Sequence, residues 1–231
     1  DNYAVERFRL NDDPIMYPSI DWRRYLLNKT SVQTQHNLNI SGGTKDIRYF
    51  ISLGFLYQNG LLKQFEGVGY DNNYKYKRYN YRANLDFDAT KTTTLKIGIG
   101  GIVGNRNEPM INDATNSIWT LINQTTPFSS PGVIDGKLIV TPEERFDNKI
   151  NLGNSALPKC YGTGYSTAIN NTMNLDLLLN QKLDFITKGL SAEIKGAYNT
   201  SYGFTKKRKG QVEQFMPFYQ SSLEDPSLGY D

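Results

Sequence analysis

Residues 77–88 read KRYNYRANLDFD, and their chemical character alternates at every position. In an extended strand, successive side chains point to opposite faces of the strand. One face then carries Lys77, Tyr79, Tyr81, Ala83, Leu85 and Phe87, and the other carries Arg78, Asn80, Arg82, Asn84, Asp86 and Asp88. Strands of soluble proteins usually have about five or six residues, whereas a strand that crosses a membrane needs roughly 9–11. The length of this run therefore favours a membrane-spanning strand.

The same period of two returns several times along the chain. It is present in residues 47–57, 95–103, 173–185 and 190–204. An amphipathic helix would instead repeat its apolar residues about every 3.6 positions. With the segment around Leu38 and Ile40, these runs predict an all-β fold with six long antiparallel strands.

The connections between these segments alternate in length. The short ones are residues 41–46, 89–94 and 186–189, and the long ones are residues 58–73, 105–164 and 206–231. Outer-membrane barrels have short periplasmic turns and longer outer loops, so we expect three hairpins whose turns face the periplasm. Receptor-binding β-sandwiches sometimes share this asymmetry. A soluble glycan-binding or adhesin module, which unlike a barrel would not need detergent, is therefore the alternative.

Composition is compatible with a barrel and argues against other classes. Hydrophobic residues make up 38% of the chain and the mean hydropathy is -0.55, and no segment approaches the roughly 20 apolar residues of a transmembrane helix. Sixteen tyrosines and eleven phenylalanines favour an aromatic girdle near the long loops, although cross-strand pairs of a soluble sheet would also use them. The lone cysteine, Cys160, allows no intramolecular disulfide.

The net charge of +3 gives little support for a nucleic-acid surface. The strongest basic feature is the run of four cations at residues 206–209. Such a run can bind phosphates, but a solvated surface or contacts with lipid or polysaccharide phosphates suit it better. We expect no nucleic-acid partner.

Four motifs carry a family resemblance. They are QHNLNISGGT at residues 35–44, YFISLGF with QNG at residues 49–55 and 58–60, YNYRANLD at residues 79–86, and LDFITKGLS at residues 183–191, with Asp21 and Trp22 ahead of them. In this order the motifs resemble those of the SusC/RagA-type TonB-dependent transporters of Bacteroidetes. The resemblance extends over roughly residues 17–205, and the departures lie in the loops.

The resemblance implies a 22-stranded outer-membrane barrel, closed by an N-terminal plug, that imports a large nutrient. It implies energy from TonB, a SusD-like surface lipoprotein as partner, a glycan or oligopeptide as substrate, and contact with outer-membrane lipid. The smallest barrels have about eight strands, so we expect this chain to be part of a larger polypeptide. Residues 1–32 would then form the connection from plug to barrel and the first strand region, residues 33–205 six barrel strands, and residues 206–231 the start of a further outer loop.

Enzyme-like features of the sequence are weak, and we expect no catalytic residue, metal site or cofactor. The glycine-rich segment at residues 98–104 lacks the third glycine and the following helix of a phosphate-binding loop, so its glycines fit a lumen-facing role that leaves room for a plug. His36 is the only histidine and is expected to be structural. Five carboxylates could form acid pairs or bind calcium, although solvated charge suits them better; they are Glu108, Asp113, Glu143, Glu144 and Asp147.

The long connection at residues 105–164 is the best candidate for substrate recognition, because so long a loop usually has a function. Aromatic rings stack on the apolar faces of sugars, and nearby amides and hydroxyls bind polar groups. The candidate substrate-binding residues are Trp119, Phe128, Tyr161 and Tyr165. Residues 116–123 could form a short helix whose Trp119, Leu121 and Ile122 pack the loop.

Overall fold

The computed structural model describes residues 2–111, 117–141, 155–210, 213–219 and 228–230. The helices are α1 (Asn2–Leu10), α2 (Trp22–Leu26), α3 (Ile118–Gln124) and α4 (Ala156–Tyr161). The long strands are β1 (Gln33–Gly43), β2 (Ile47–Asn59), β3 (Lys75–Asp88), β4 (Thr93–Pro109), β7 (Gly164–Lys182) and β8 (Ser191–Lys209). The short strands are β5 (Gly132–Ile134), β6 (Lys137–Ile139), β9 (Gln214–Phe215), β10 (Pro217–Tyr219) and β11 (Leu228–Tyr230). None of the helices among the described residues is long and apolar enough to cross a membrane.

The six long strands form one antiparallel sheet in the order β1-β2-β3-β4-β7-β8. Each strand pairs with the strand that precedes or follows it among the six, as in a meander. They contain from 11 to 19 residues, whereas a membrane-spanning strand needs roughly 9–11. The predicted all-β class with long antiparallel strands is confirmed.

Register places the alternating faces of all six strands together. Leu53 on β2 pairs with Leu38 on β1 and with Tyr81 on β3, and further along, Leu177 on β7 pairs with Ile97 on β4. Most apolar positions of the six strands thus share one side of the sheet, which we call the outer face, and most polar positions share the inner face. Many outer-face side chains are exposed, including Leu53, Leu177 and Ile194. Soluble monomers rarely leave so large a contiguous apolar surface uncovered.

The turn between β7 and β8 begins earlier than the alternation predicts. The apolar pattern continues to Phe185, but β7 ends at Lys182 and Phe185 is 78% exposed. The Asp184 carboxylate accepts a hydrogen bond from the Gly189 amide at 2.7 Å, and Gly189 has a φ of 83°. These two features close the turn, because glycine adopts the left-handed conformation at little cost.

A compact cluster of buried side chains lies at the long-loop end of the sheet. It combines residues from the segment before β1, from the β2–β3 loop and from the β4–β7 loop, and we call it the loop core. Its members are Trp22, Leu26, Leu62, Val68, Ile118, Leu121, Ile122, Leu138, Ala156, Leu157, Cys160 and Tyr161. The Trp22 indole donates to the Thr126 carbonyl at 2.8 Å and so joins segments 104 residues apart. The long loops are therefore packed together and not independent excursions.

Residues 2–32 also lie at the long-loop end. Gln33 begins β1 opposite Gln58 near the end of β2, and Leu27 forms an isolated bridge with Leu62 in the following loop. Apart from this bridge, residues 2–32 contain α1 and α2 and no strand. At the other boundary, β8 continues to Lys209 because residues 206–209 pair with β7. The division of the chain into segments 1–32, 33–205 and 206–231 stays a prediction.

Candidate ligand-binding recess at the long-loop end

Three inner-face side chains form a row where the sheet meets the loops. Gln58 on β2 pairs with Tyr76 on β3, which pairs with Arg106 on β4. The three line a recess of about 500 Å³, to which Tyr74 and Trp119 also contribute. This volume falls within the range of small-molecule sites, roughly 300–1,000 Å³.

Helix α3 places Trp119 at the recess. The Ser117 hydroxyl caps the helix by accepting a hydrogen bond from the Thr120 amide at 3.3 Å, as an N-cap serine does. Ile118, Leu121 and Ile122 are buried in the loop core, whereas Trp119 is 52% exposed. Residues three or four apart share one side of a helix, so the same turn buries three residues and presents the indole. The expectation that Trp119 packs the loop along with Leu121 and Ile122 is corrected.

The chemistry of the recess suits a ligand with apolar faces and polar edges. The Arg106 side chain is 58% exposed and its guanidinium forms an ion pair with Glu108 at 3.3 Å. The remaining N–H groups of the guanidinium can donate to a ligand. The Gln58 amide can both donate and accept hydrogen bonds, while Tyr76 and Trp119 offer rings. Peptides and oligosaccharides both present this combination of surfaces.

The other three aromatic candidates lie elsewhere. Phe128 packs against Phe8 with ring centroids 4.8 Å apart. Tyr161 is fully buried in the loop core, and its hydroxyl donates to the Lys63 carbonyl at 2.6 Å. Tyr165 occupies an outer-face position of β7 and stacks on Tyr70 with ring centroids 5.7 Å apart. The structure therefore brings only Trp119 of the four predicted residues to the recess.

Gln58, Tyr76 and Arg106 are not among the substrate-binding residues predicted from the sequence. Gln58 and Arg106 fall within the predicted long connections, and Tyr76 lies three residues after one of them, so all three lie near or within predicted loops. Their alignment across three strands depends on the register. Period-two patterns assign faces but do not fix which residues lie opposite one another.

Titration in this region follows burial. Burial raises the pKa of the Tyr74 phenol, and the nearby Glu108 raises it further, so Tyr74 stays neutral at the recess. Burial also raises the pKa of the Cys160 thiol from 9.0 to about 12 and raises the pKa of the Tyr161 phenol above its usual range. Both side chains therefore stay protonated at neutral pH, in the form that is a poor nucleophile.

The described residues contain no group of three or more histidine, cysteine, aspartate or glutamate side chains placed to bind a metal ion. Asp113, Glu143, Glu144 and Asp147 lie outside the described residues. His36 lies on the outer face of β1 and stacks near Phe55, with ring centroids 6.4 Å apart. The structural role of this histidine, the only one in the sequence, stays a prediction.

Comparison with known proteins agrees with the geometry. No protein-family model matches the sequence. The TonB-dependent receptor SusC of Bacteroides thetaiotaomicron is 28% identical over 125 residues, which cover 48% of this chain and 12% of that protein. This chain therefore spans about an eighth of the curated relative that it matches.

Solved structures of the RagAB system share the fold. The RagAB peptide importer in its closed-closed state superimposes with a TM-score of 0.54 at 15% identity, covering 84% of this chain and 20% of that one. The RagAB peptide transporter gives a TM-score of 0.56 at 16% identity, covering 88% and 22%. The chain is therefore similar in sequence to the TonB-dependent receptor SusC, and its six-stranded sheet has the fold of part of the RagAB structures.

Proposed function

We propose that the protein to which this chain belongs imports a large nutrient across the outer membrane, with energy supplied through TonB. The observation that carries the proposal is the register of the six strands, which places their predominantly apolar faces on one side of the sheet. Its likeness to SusC in sequence and to RagAB in fold supports the same function. These relatives are transporters and not enzymes.

The alternative of a soluble β-sandwich needs a second sheet to cover the outer face. The other sheets among the described residues are the three-stranded β5-β6-β9 and the two-stranded β10-β11, whose strands have two or three residues each. They are too small to cover strands of 11 to 19 residues. Lipid is the better occupant of this surface.

The proposal includes a SusD-like surface lipoprotein as partner, and it assigns substrate contact to the recess. A lipoprotein at the cell surface would meet the barrel at the long loops, where the loop core orders the N-terminal segment and two loops. A glycan or oligopeptide passing from this partner into the lumen would reach Trp119, Tyr76 and Arg106 first. TonB would act through a segment outside this chain.

Uptake by cells tests the proposal. A strain lacking the full-length gene is complemented with wild-type protein or with Trp119→Ala, and growth is measured on single polysaccharides and on peptide mixtures. We expect the deletion to abolish growth on one nutrient class, and a proton uncoupler to stop uptake of that class. Trp119→Ala should reduce uptake at limiting nutrient, while Trp119→Phe should restore most of it.

Growth of the deletion strain that equals wild type on every nutrient would contradict the import function. If instead the purified protein remained monomeric without detergent, the soluble alternative would replace the barrel.

A further inference from the structure

The outer face of the sheet carries very few charges, and all have the same sign. Among the outer-face positions of the six described strands, the charged residues are Lys75, Lys77, Lys206 and Arg208. Lys75 and Lys77 are the first two outer-face positions of β3, and Lys206 and Arg208 are the last two of β8, so all four lie at the long-loop end. No carboxylate occupies an outer-face position of these strands. No charged residue occupies an outer-face position near the short turns.

The alternation of β8 divides the basic run that is conspicuous in the sequence. Lys206 and Arg208 lie on the outer face, whereas Lys207 and Lys209 fall on the inner parity of the strand. The outer face of β8 is apolar or aromatic just below these cations, at Tyr202 and Phe204. On the outer face of β8, aromatic residues are therefore followed directly by cations at the next outer-face position.

Two of these cations contact tyrosine rings at the same level of the neighbouring strand, because Lys77 pairs with Tyr57 and Arg208 pairs with Tyr165. The Lys77 ammonium lies 6.0 Å from the centroid of the Tyr57 ring on the neighbouring strand, and the Arg208 guanidinium lies 5.9 Å from that of Tyr165. Tyrosine favours the boundary between hydrocarbon and water. The cations are thus positioned at the depth of lipid headgroups.

A shallow recess of about 480 Å³ adjoins this band and is lined by Lys75, Asn107, Tyr165 and Arg208 among others. Asp71 also lines it and forms an ion pair with Lys75, which leaves an excess of positive charge. Guanidinium groups bind phosphate through paired N–H donors, and ammonium groups bind it as compact charges.

We propose that these four cations, Lys75, Lys77, Lys206 and Arg208, form an outer cationic rim. This rim binds the phosphate groups of lipid headgroups in the membrane leaflet on the long-loop side. The inference rests on the proposed function, because only a membrane-inserted barrel presents its outer face to lipid. A phosphorylated lipid matches both halves of the surface, since its acyl chains meet the apolar band while its phosphate meets the cations. Free phosphate satisfies only the second half.

A pair of double variants of the full-length transporter tests the proposal. Lys77→Gln with Lys206→Gln removes two outer cations, and Arg78→Gln with Lys207→Gln removes two inner cations one residue further along the same strands. The two double variants change the charge by the same amount at similar depths along β3 and β8. They differ only in the face of the sheet that loses its cations. Binding of monophosphorylated lipid A, its dephosphorylated form and inorganic phosphate to each protein in detergent is measured by native mass spectrometry.

We expect the outer variant to bind the phosphorylated lipid about 30-fold more weakly than wild type, since each cation near a charged surface contributes about 1 kcal/mol. The inner variant should stay within about twofold of wild type. Equal affinity of the outer variant and wild type, equal loss in both variants, or equal binding of the dephosphorylated lipid would overturn the proposal. So would inorganic phosphate binding as tightly as the lipid.

The same proteins are checked for heat-modifiable migration and for nutrient uptake in cells. Wild-type uptake with an unaltered lipid affinity in the outer variant would refute the rim alone and leave the proposed function intact. A wild-type protein that neither forms a heat-modifiable barrel nor supports uptake would instead refute the proposed function.

Discussion

Two tyrosines on the outer face lie across glycines of the neighbouring strand. Tyr49 covers Gly42 and Tyr81 covers Gly101, and in each case the two residues are directly paired. A β-carbon added at Gly101 would lie 2.5 Å from the Tyr81 hydroxyl oxygen and would also collide with the backbone carbonyl oxygen of Thr172. Such rings shield the bare backbone of a glycine within a strand.

We predict that Gly101→Ala destabilises the full-length barrel by roughly 1–3 kcal/mol, as overpacking does. Gly196→Ala is the matched control, because Gly196 is also on the outer face and a β-carbon there would meet nothing within 4 Å. Denaturant unfolding of both variants in lipid vesicles measures the difference. Equal midpoints would show that both the tyrosine ring and the Thr172 backbone adjust without cost.

The strand is the element on which the face assignment depends. On β7, Leu177 lies on the outer face between Ile97 and Gly196, while Asp176 lies on the inner face opposite Gly98. A slip of one residue would exchange the two faces and expose every inner charge to hydrocarbon. Neighbouring positions of one strand therefore have opposite tolerance for charge.

Leu177→Arg should reduce the yield of folded, heat-modifiable barrel far more than Asp176→Arg. An arginine at the bilayer midplane costs roughly 2–4 kcal/mol, whereas a lumen position is solvated. Folding yields of the two variants in lipid vesicles are compared with wild type. Equal or reversed yields would place the lipid on the other face.

Sequence patterns predict the strands well but not where they end. Period two identifies all six strands, because alternate burial is a local property of an extended chain. The end of β7 at Lys182 and the extension of β8 to Lys209 depend on turn hydrogen bonds and on pairing.

The four aromatic candidates for the site lie in different places for a related reason. Tyr161 is buried by contacts with Lys63 and Tyr70, about 90 or more residues away, and no local pattern reveals such contacts.

At the scale of the whole molecule, the loop core couples three distant segments and should respond to pH as a unit. Burial raises the pKa of Cys160 from 9.0 to about 12 and that of Tyr161 above its usual range, so the folded core retains both protons more tightly than the unfolded chain. The stability from these groups is fully present below pH 9. It is lost as the pH rises from 9 toward 12.

We predict that Cys160 in the folded full-length protein resists thiol reagents at neutral pH and becomes reactive above pH 9, faster than thiol ionisation alone explains. An exposed cysteine introduced at Lys91 gives the matched rate for an unprotected thiol. Labelling rates of both residues are followed across the pH range in detergent. Equal rates at pH 7 would show that the loop core is open.

The six strands of the sheet cross the membrane an even number of times. This even number determines where antibodies can reach the chain. The segment before β1 and the segment after β8 both adjoin the long-loop end, so they must emerge on one side of the membrane whatever the depth or tilt of the strands. Epitopes inserted near Asn11 and near Glu213 in the full-length protein should both bind antibody on intact cells, and one at Lys91 should bind only after permeabilisation. The reverse result would turn the whole sheet over, because an even count allows no third arrangement.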